Sequence, residues 1–366
     1  MNLTFICSAR TWGGNEKWSV MAARALASRG HTVHFIARRA FFEPRLAGTP
    51  VRFHRMPLVH ELDPVTFARL VWHIKKEQID VVLPTKVKDY WLGGMAARLA
   101  GASVAIRLGI VRRLRPLFPK DWLSYGVLPH RIIVNAQAIK TELANTPWIR
   151  PDRIVVIYNC VEPLAAAVPK AGLRAQYAMP SQAFVAIAVG RLTPRKGFDL
   201  LVRALSKVSA THPQSRLVLV GDGHQRAALT HLAQKLDVSD KLVFAGACSQ
   251  PLPLIADADV LVAPSRQEGL PNTILEAWQV GTPVVATNVA GAAEVIRHGE
   301  NGYLVPPDDA QALADCLAGL IEQPEQRQHV ASEGTRTLQQ RHTPSRMADD
   351  LERTLQEIVP DASNRV

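Results

Sequence analysis

Arg191 and Lys196 lie in the stretch Gly190-Arg-Leu-Thr-Pro-Arg-Lys-Gly197, directly after the apolar run Phe184–Val189. A guanidinium can fork onto two phosphate oxygens and an ammonium can add a point charge to the same group, so the pair suits a diphosphate that must be neutralised as it leaves. Arg195, in the same turn, reads as a solvated surface cation. A second constellation, Glu268-Gly-Leu-Pro-Asn-Thr-Ile-Leu-Glu276, carries two carboxylates across a loop-to-helix junction. Pro271 suits the first helical turn and Gly281 the far cap, which puts Glu276 about one turn into the helix and leaves Glu268 in the loop. Glu268 can then accept hydrogen bonds from sugar hydroxyls and Glu276 from a ribose. The junction residues Gly269, Leu270, Pro271, Asn272 and Thr273 present a helix N-terminus to the diphosphate. Thr11-Trp-Gly-Gly-Asn-Glu16 holds a third candidate, in which Gly13 and Gly14 let backbone approach a phosphate at the start of a helix.

Other clusters carry less. Asp257-Ala-Asp259 imitates a metal-binding pair of carboxylates, but it immediately precedes the apolar run Val260–Ala263 and reads as a helix end and strand entry. The twelve histidines show no His-x-x-x-His spacing, and none is assigned as a ligand. The basic stretch 112–123 mixes Arg112, Arg113, Arg115 and Lys120 with Leu117, Phe118, Trp122 and Leu123. Each such cation at an anionic leaflet contributes on the order of 1 kcal/mol, enough in sum for reversible docking or for gripping acceptor phosphates. Lys86, Lys88 and Arg107, from neighbouring strand ends, are expected to extend this wall.

The elements that must position these residues follow from the hydropathy pattern. Short apolar runs alternate with stretches of helical period, as in βαβ units with parallel sheets. Strands are expected at Leu3–Ser8, His31–Ala37, Val81–Pro84, Ser103–Leu108 and Arg131–Val134. A second series comprises Phe184–Val189, Arg216–Val220, Leu242–Ala245, Val260–Ala263 and Val284–Thr287. Trp18, Met21, Ala22, Ala25 and Leu26 form a helical stripe that Gly30 should close with a left-handed cap. A chain of 366 residues suits two domains, and the Pro- and Ala-rich connector around 163–169 sets the boundary near 165. Residues 1–165 carry 24 Lys and Arg against 11 Asp and Glu, whereas the remainder carries 19 against 21. The first half is therefore the one that should meet an anionic partner. Four well-separated cysteines give no disulfide framework, and no run of 18 apolar residues would span a bilayer.

With these motifs in order, the chain resembles the retaining glycosyltransferases of family 4. The resemblance covers nearly the whole length and rests on the Gly13-Gly14 loop, Ile157-Tyr-Asn-Cys-Val161, Gly190-Arg191 with Lys196, Val220-Gly-Asp-Gly223, Pro264-Ser265, Glu268 with Glu276, and Gly299-Glu-Asn-Gly-Tyr-Leu-Val305. It implies the GT-B fold, an α/β architecture of two facing Rossmann-like domains with parallel sheets and an interdomain cleft. Residues 1–165 would bind the acceptor and 166–366 the donor, with a C-terminal helix around Ala348–Val359 crossing back to the first domain. By the same resemblance Arg191 and Lys196 hold the donor diphosphate, Glu268 contacts the donor sugar and Glu276 holds the ribose. Arg191, Lys196 and Glu268 are the catalytic candidates, and Gly13, Gly14, Gly190 and Gly221 complete the donor set. No cofactor or catalytic metal is expected beyond the nucleotide diphosphate sugar itself.

Family members often carry Gly where this chain has Ala290 and Cys160, and many carry a His where Ser103–Gly109 offers Arg107. That loop therefore lacks an imidazole for acid–base help. A looser similarity of Lys86–Gly94 and Arg107–Arg113 to lipopolysaccharide-core transferases suggests transfer of a hexose or heptose to a glycolipid or polysaccharide hydroxyl. The expected setting is cytoplasmic, peripheral on the inner face of the membrane, with Lys86, Lys88, Arg107, Arg112 and Arg113 at the acceptor. Competing readings are a nucleotide-sugar epimerase or phosphorylase of the same architecture, and a basic nucleic-acid-binding protein. The last lacks any basic-aromatic or helix-turn-helix signal.

Overall fold

The computed structural model describes residues 1–60, 63–110, 114 and 119–359, which divide into two compact units. The first contains a seven-stranded parallel sheet of order β3-β2-β1-β4-β5-β6-β7. Its strands are β1 (Asn2–Cys7), β2 (Thr32–Ala37), β3 (Arg52–Arg55), β4 (Val81–Pro84), β5 (Ser103–Leu108), β6 (Arg131–Val134) and β7 (Ile154–Val156). Because both faces are covered, the inner strands are largely apolar instead of alternating, with Thr4, His34, Ser103 and Arg107 as buried polar exceptions. Leu3, Phe5, Val33 and Phe35 pack on one face against Trp18, Met21, Ala22 and Leu26 of helix α1 (Gly14–Ser28). Ile6, Ile36, Val82 and Val104 pack on the other against Leu70 and Ile74 of α2 (Pro64–Lys76) and Leu92 and Ala96 of α3 (Val87–Leu99). Gly30, with φ +85°, takes the left-handed conformation just beyond α1.

The second unit repeats the scheme with six parallel strands in the order β10-β9-β8-β11-β12-β13. These are β8 (Val185–Val189), β9 (Arg216–Val220), β10 (Leu242–Gly246), β11 (Val260–Ala263), β12 (Val284–Thr287) and β13 (Tyr303–Val305). Helix α4 (Phe198–Thr211) covers one face through Leu201, Leu205 and Val208. On the other face lies α5 (Asn272–Gln279), whose Ile274 and Trp278 meet Val185, Ile187 and Leu261. Gly334 of α6 (Pro324–Arg341) lets that helix rest on the Trp278 indole: a Cβ there would come within 2.3 Å of the ring.

The division falls at Cys160/Val161, and the segment from Pro344 onward groups with the first unit. Helix α7 (Pro344–Gln356) turns Met347, Leu351 and Leu355 into the core that α1 also enters. Arg29 at the end of α1 clamps it with Asp349 at 2.6 Å and Glu352 at 2.9 Å, and His31 reaches Glu352 at 2.9 Å. Among the described residues no helix is long and apolar enough to cross a membrane.

In each sheet the chain leaves the first strand in one direction and the fourth in the other. The reversal opens a crevice at the carboxyl ends of β1 and β4 in the first unit and of β8 and β11 in the second. The sequence motifs occupy these ends.

Candidate donor site and its scaffold

In the second unit, the turn after β8 and the loop after β11 are brought together by glycine. Gly197 caps α4 with φ +66°, and a Cβ on it would sit 1.9 Å from the carbonyl oxygen of Pro264. Gly221 does the same after β9, where a Cβ would meet the Gly190 carbonyl oxygen at 1.9 Å. Only glycine satisfies both the left-handed backbone and the contact. Two main-chain segments remote in sequence thus touch, and Lys196 arrives beside Glu268 with Nζ 2.7 Å from Oε2. Arg195, read from the sequence as a surface cation, is drawn into the same group. Its Nη1 stands 3.2 Å from Glu268 Oε1 and donates to the Gln267 carbonyl at 3.0 Å. Arg191 lies exposed at the start of the turn.

Arg266 fixes this arrangement and was not singled out in the sequence. Its guanidinium forks onto Asp199 at 2.7 and 2.8 Å, reaches Asp308 at 2.6 Å and donates to the Pro194 carbonyl at 2.9 Å. Its own amide donates to the Arg195 carbonyl at 2.8 Å. Hydrogen bonding from Arg266 holds the Asp199 carboxyl below its usual range, while the same contacts raise the guanidinium's own affinity for its proton. The fork is charge-assisted and planar, so it orients the turn as well as binding it.

Helix α5 starts at Asn272, with Pro271 as its N-cap. Gly269, Leu270 and Pro271 are buried before it, Asn272 and Thr273 are half-buried in its first turn, and Glu276 is buried about one turn in. Gly291 lies against this junction, where a Cβ would come 2.7 Å from the Leu270 amide nitrogen. Asp257 and Asp259 serve the scaffold. Asp257 accepts from the Leu173 amide at 2.5 Å, and Asp259 accepts from Arg174 at 2.6 Å and from the Val185 amide at 2.8 Å.

At the carboxyl ends of β1 and β4 in the first unit, Gly13 is the extended N-cap of α1 and Gly14 its first residue. Buried Glu16 pairs with Lys86, the N-cap of α3. Asn15 donates to the Thr85 carbonyl at 2.6 Å. Arg107 does not stand in an open wall with these groups. It is buried, donating to Asn15 Oδ1 at 2.5 Å and to Asn159 Oδ1 at 2.7 Å with its guanidinium 4.2 Å from the Trp18 ring centre. Burial pulls its pKa down to about 10. Its geometry is that of a tie between the end of β5, the glycine turn and the segment after β7. Lys88 is likewise turned to the scaffold, donating to the Leu58 carbonyl at 2.9 Å. Arg112 and Arg113 lie outside the described residues, as do residues 115–118 of the same basic stretch. Asp89, also unremarked in the sequence, is buried and accepts from the Ser8 amide at 2.8 Å. Burial pushes its carboxyl up to about 6.

Two Rossmann-like parallel sheets of this kind give the GT-B fold class, and comparison with known proteins supplies the activity. A family described as glycosyltransferase family 4 matches residues 12–163, and one described as glycosyl transferases group 1 matches residues 170–337. A lipopolysaccharide core biosynthesis glycosyltransferase of Rhizobium meliloti is 30% identical over 331 residues, covering 89% of this chain and 91% of that one. An N-acetyl-alpha-D-glucosaminyl L-malate synthase of Bacillus anthracis is 22% identical over 96% of each. The crystal structure of Anabaena HepE in complex with UDP-glucose superposes with a TM-score of 0.82 at 24% identity, covering 98% of this chain and 100% of that one. The chain belongs to the family 4, group 1 glycosyltransferases.

Proposed function

We propose that this glycosyltransferase moves a hexose or heptose from a nucleotide diphosphate sugar to a hydroxyl of a glycolipid or oligosaccharide acceptor in lipopolysaccharide assembly, with retention at the anomeric carbon and without a metal. The Lys196–Glu268 pair at the β8/β11 switch point carries the reading. Arg191, Lys196 and the N-terminus of α5 would stabilise the charge that develops on the departing diphosphate, and the acceptor would attack from the face it vacates. Glu268 would hold the sugar hydroxyls and Glu276 the ribose. The relative of Rhizobium meliloti supports a lipopolysaccharide-core role, and the UDP-glucose bound by Anabaena HepE supports a nucleotide-sugar donor.

The acceptor side is assigned to the first unit, where the positive charge accumulates. Lys86 and the arginines Arg112 and Arg113 would meet acceptor phosphates or the anionic inner leaflet, while Arg107 and Lys88 brace the scaffold through Asn15, Asn159 and Leu58. Lys196→Ala and Glu268→Ala should each abolish transfer while leaving circular dichroism and thermal unfolding near wild type. Full activity in both variants would falsify the assignment. Thermal-shift measurements with UDP, GDP and ADP sugars should single out one donor, because a bound ligand stabilises the native state by mass action.

A further inference from the structure

The fold assembles three histidines that are scattered in sequence. His34 on β2, His54 on the edge strand β3 and His73 on α2 meet between the sheet and the helix, each offering a ring nitrogen within 4.8 Å of the others. His34 Nδ1 lies 3.0 Å from His54 Nε2, and the rings of His54 and His73 stand 4.7 Å apart, centre to centre. His34 and His73 are 1% and 3% exposed, and the Nε2 atom of each is buried with no hydrogen-bond partner. Leaving two such atoms unsatisfied is costly, which argues that they serve something. Glu77, just past the end of α2, places a carboxylate oxygen 3.8 Å from His34 Nε2.

We propose that His34, His54 and His73 form a structural site for a divalent cation of the zinc class. Imidazole nitrogens suit such ions, and tetrahedral coordination with metal–nitrogen bonds of about 2.0–2.1 Å sets ligand nitrogens roughly 3.3 Å apart. The His34–His54 spacing is already close to that, and a modest inward turn of the rings supplies the rest. The ligands lie within the β2–β3 layer and not at the carboxyl ends of the strands. The ion would therefore pin the exposed edge strand to its neighbour and helix, apart from any step of transfer.

The test is to strip the full chain with EDTA, desalt it, and titrate with Zn²⁺ and separately with Co²⁺. One Zn²⁺ equivalent should bind and raise the unfolding temperature, and Co²⁺ should show the visible absorption of a nitrogen-rich, four-coordinate site. His54→Ala, at the half-exposed ring, should weaken Zn²⁺ binding at least tenfold, whereas His60→Ala on the surface should not. Absence of stoichiometric binding, or equal affinity in His54→Ala and wild type, overturns the proposal. Should His54→Ala fail to fold, the wild-type Co²⁺ spectrum decides: weak octahedral absorption rejects the site and intense tetrahedral absorption upholds it.

Discussion

Lys196 is already occupied before any donor arrives, because Glu268 holds its ammonium. A diphosphate entering that crevice must compete with the carboxylate for the same charge. Solvent-exposed pairs are worth about 0.2–1 kcal/mol, and in a more enclosed pair the stronger attraction is offset by desolvation, so the same range is a guide here. Glu268→Gln should therefore tighten binding of the nucleoside diphosphate alone, by up to about fivefold, while the sugar-holding role proposed for Glu268 predicts loss of transfer. Titration calorimetry with the diphosphate and a transfer assay measure the two effects separately, and weaker diphosphate binding would show that Glu268 does not restrain Lys196. Arg107 yields a stability prediction instead. Its loss leaves the Asn15 and Asn159 oxygens without their donor, so Arg107→Ala should cost on the order of 3 kcal/mol in urea unfolding. Arg107→Lys should rescue little of it, since an ammonium cannot reproduce the fork. The sequence exposed Lys196 and Glu268 because glycines and a helix start surround them. It could not expose Arg266 or Asp89, whose roles depend on partners distant along the chain, nor the histidine cluster, whose members come from three elements.

At the scale of elements, six strands were legible to the residue: β4, β5, β6, β9, β11 and β12. They are inner strands and read as mostly aliphatic runs, interrupted by few polar residues. The strands that escaped, β3, β7 and β13, lie at sheet edges and are only three or four residues long. Arg52 and Arg55 end β3 with the charge that protects an exposed edge, which also hides its strand character. Helix contacts are equally silent in sequence. Gly334 reads as a weak point in α6, yet it is where that helix meets Trp278. Gly334→Ala should improve helix propensity and still destabilise the second unit by about 1–3 kcal/mol through overpacking, measurable by urea denaturation. His130 sets a pH dependence on β5, whose Val104 amide donates to its Nδ1 at 2.9 Å. Burial, with Arg98, Arg153 and Arg131 around it, lowers its pKa from 6.5 to about 4. The unfolded chain takes up that proton first, so stability should fall as pH drops from about 6.5 to about 4. His130→Gln should flatten this part of the melting-temperature profile.

For the whole molecule, the charge asymmetry is the property that sequence alone conveyed most directly. If the first unit meets an anionic leaflet, the protein should sediment with vesicles containing anionic lipid and be released as salt rises. Equal binding to neutral vesicles would point to a different origin for the excess charge. What the sequence order concealed is that the first unit is discontinuous. Met347, Leu351 and Leu355 fill a core begun by residues near the other end of the chain, and residues 161–343 are effectively an insertion within it. On the ribosome, the early unit must wait for late-made α7 before its core can close, while the insertion can mature as soon as it emerges. A chain cut after Thr343 should therefore keep a protease-resistant second unit and leave α1 open to digestion, so a lesion in the final helix would register as damage to the part of the protein made first.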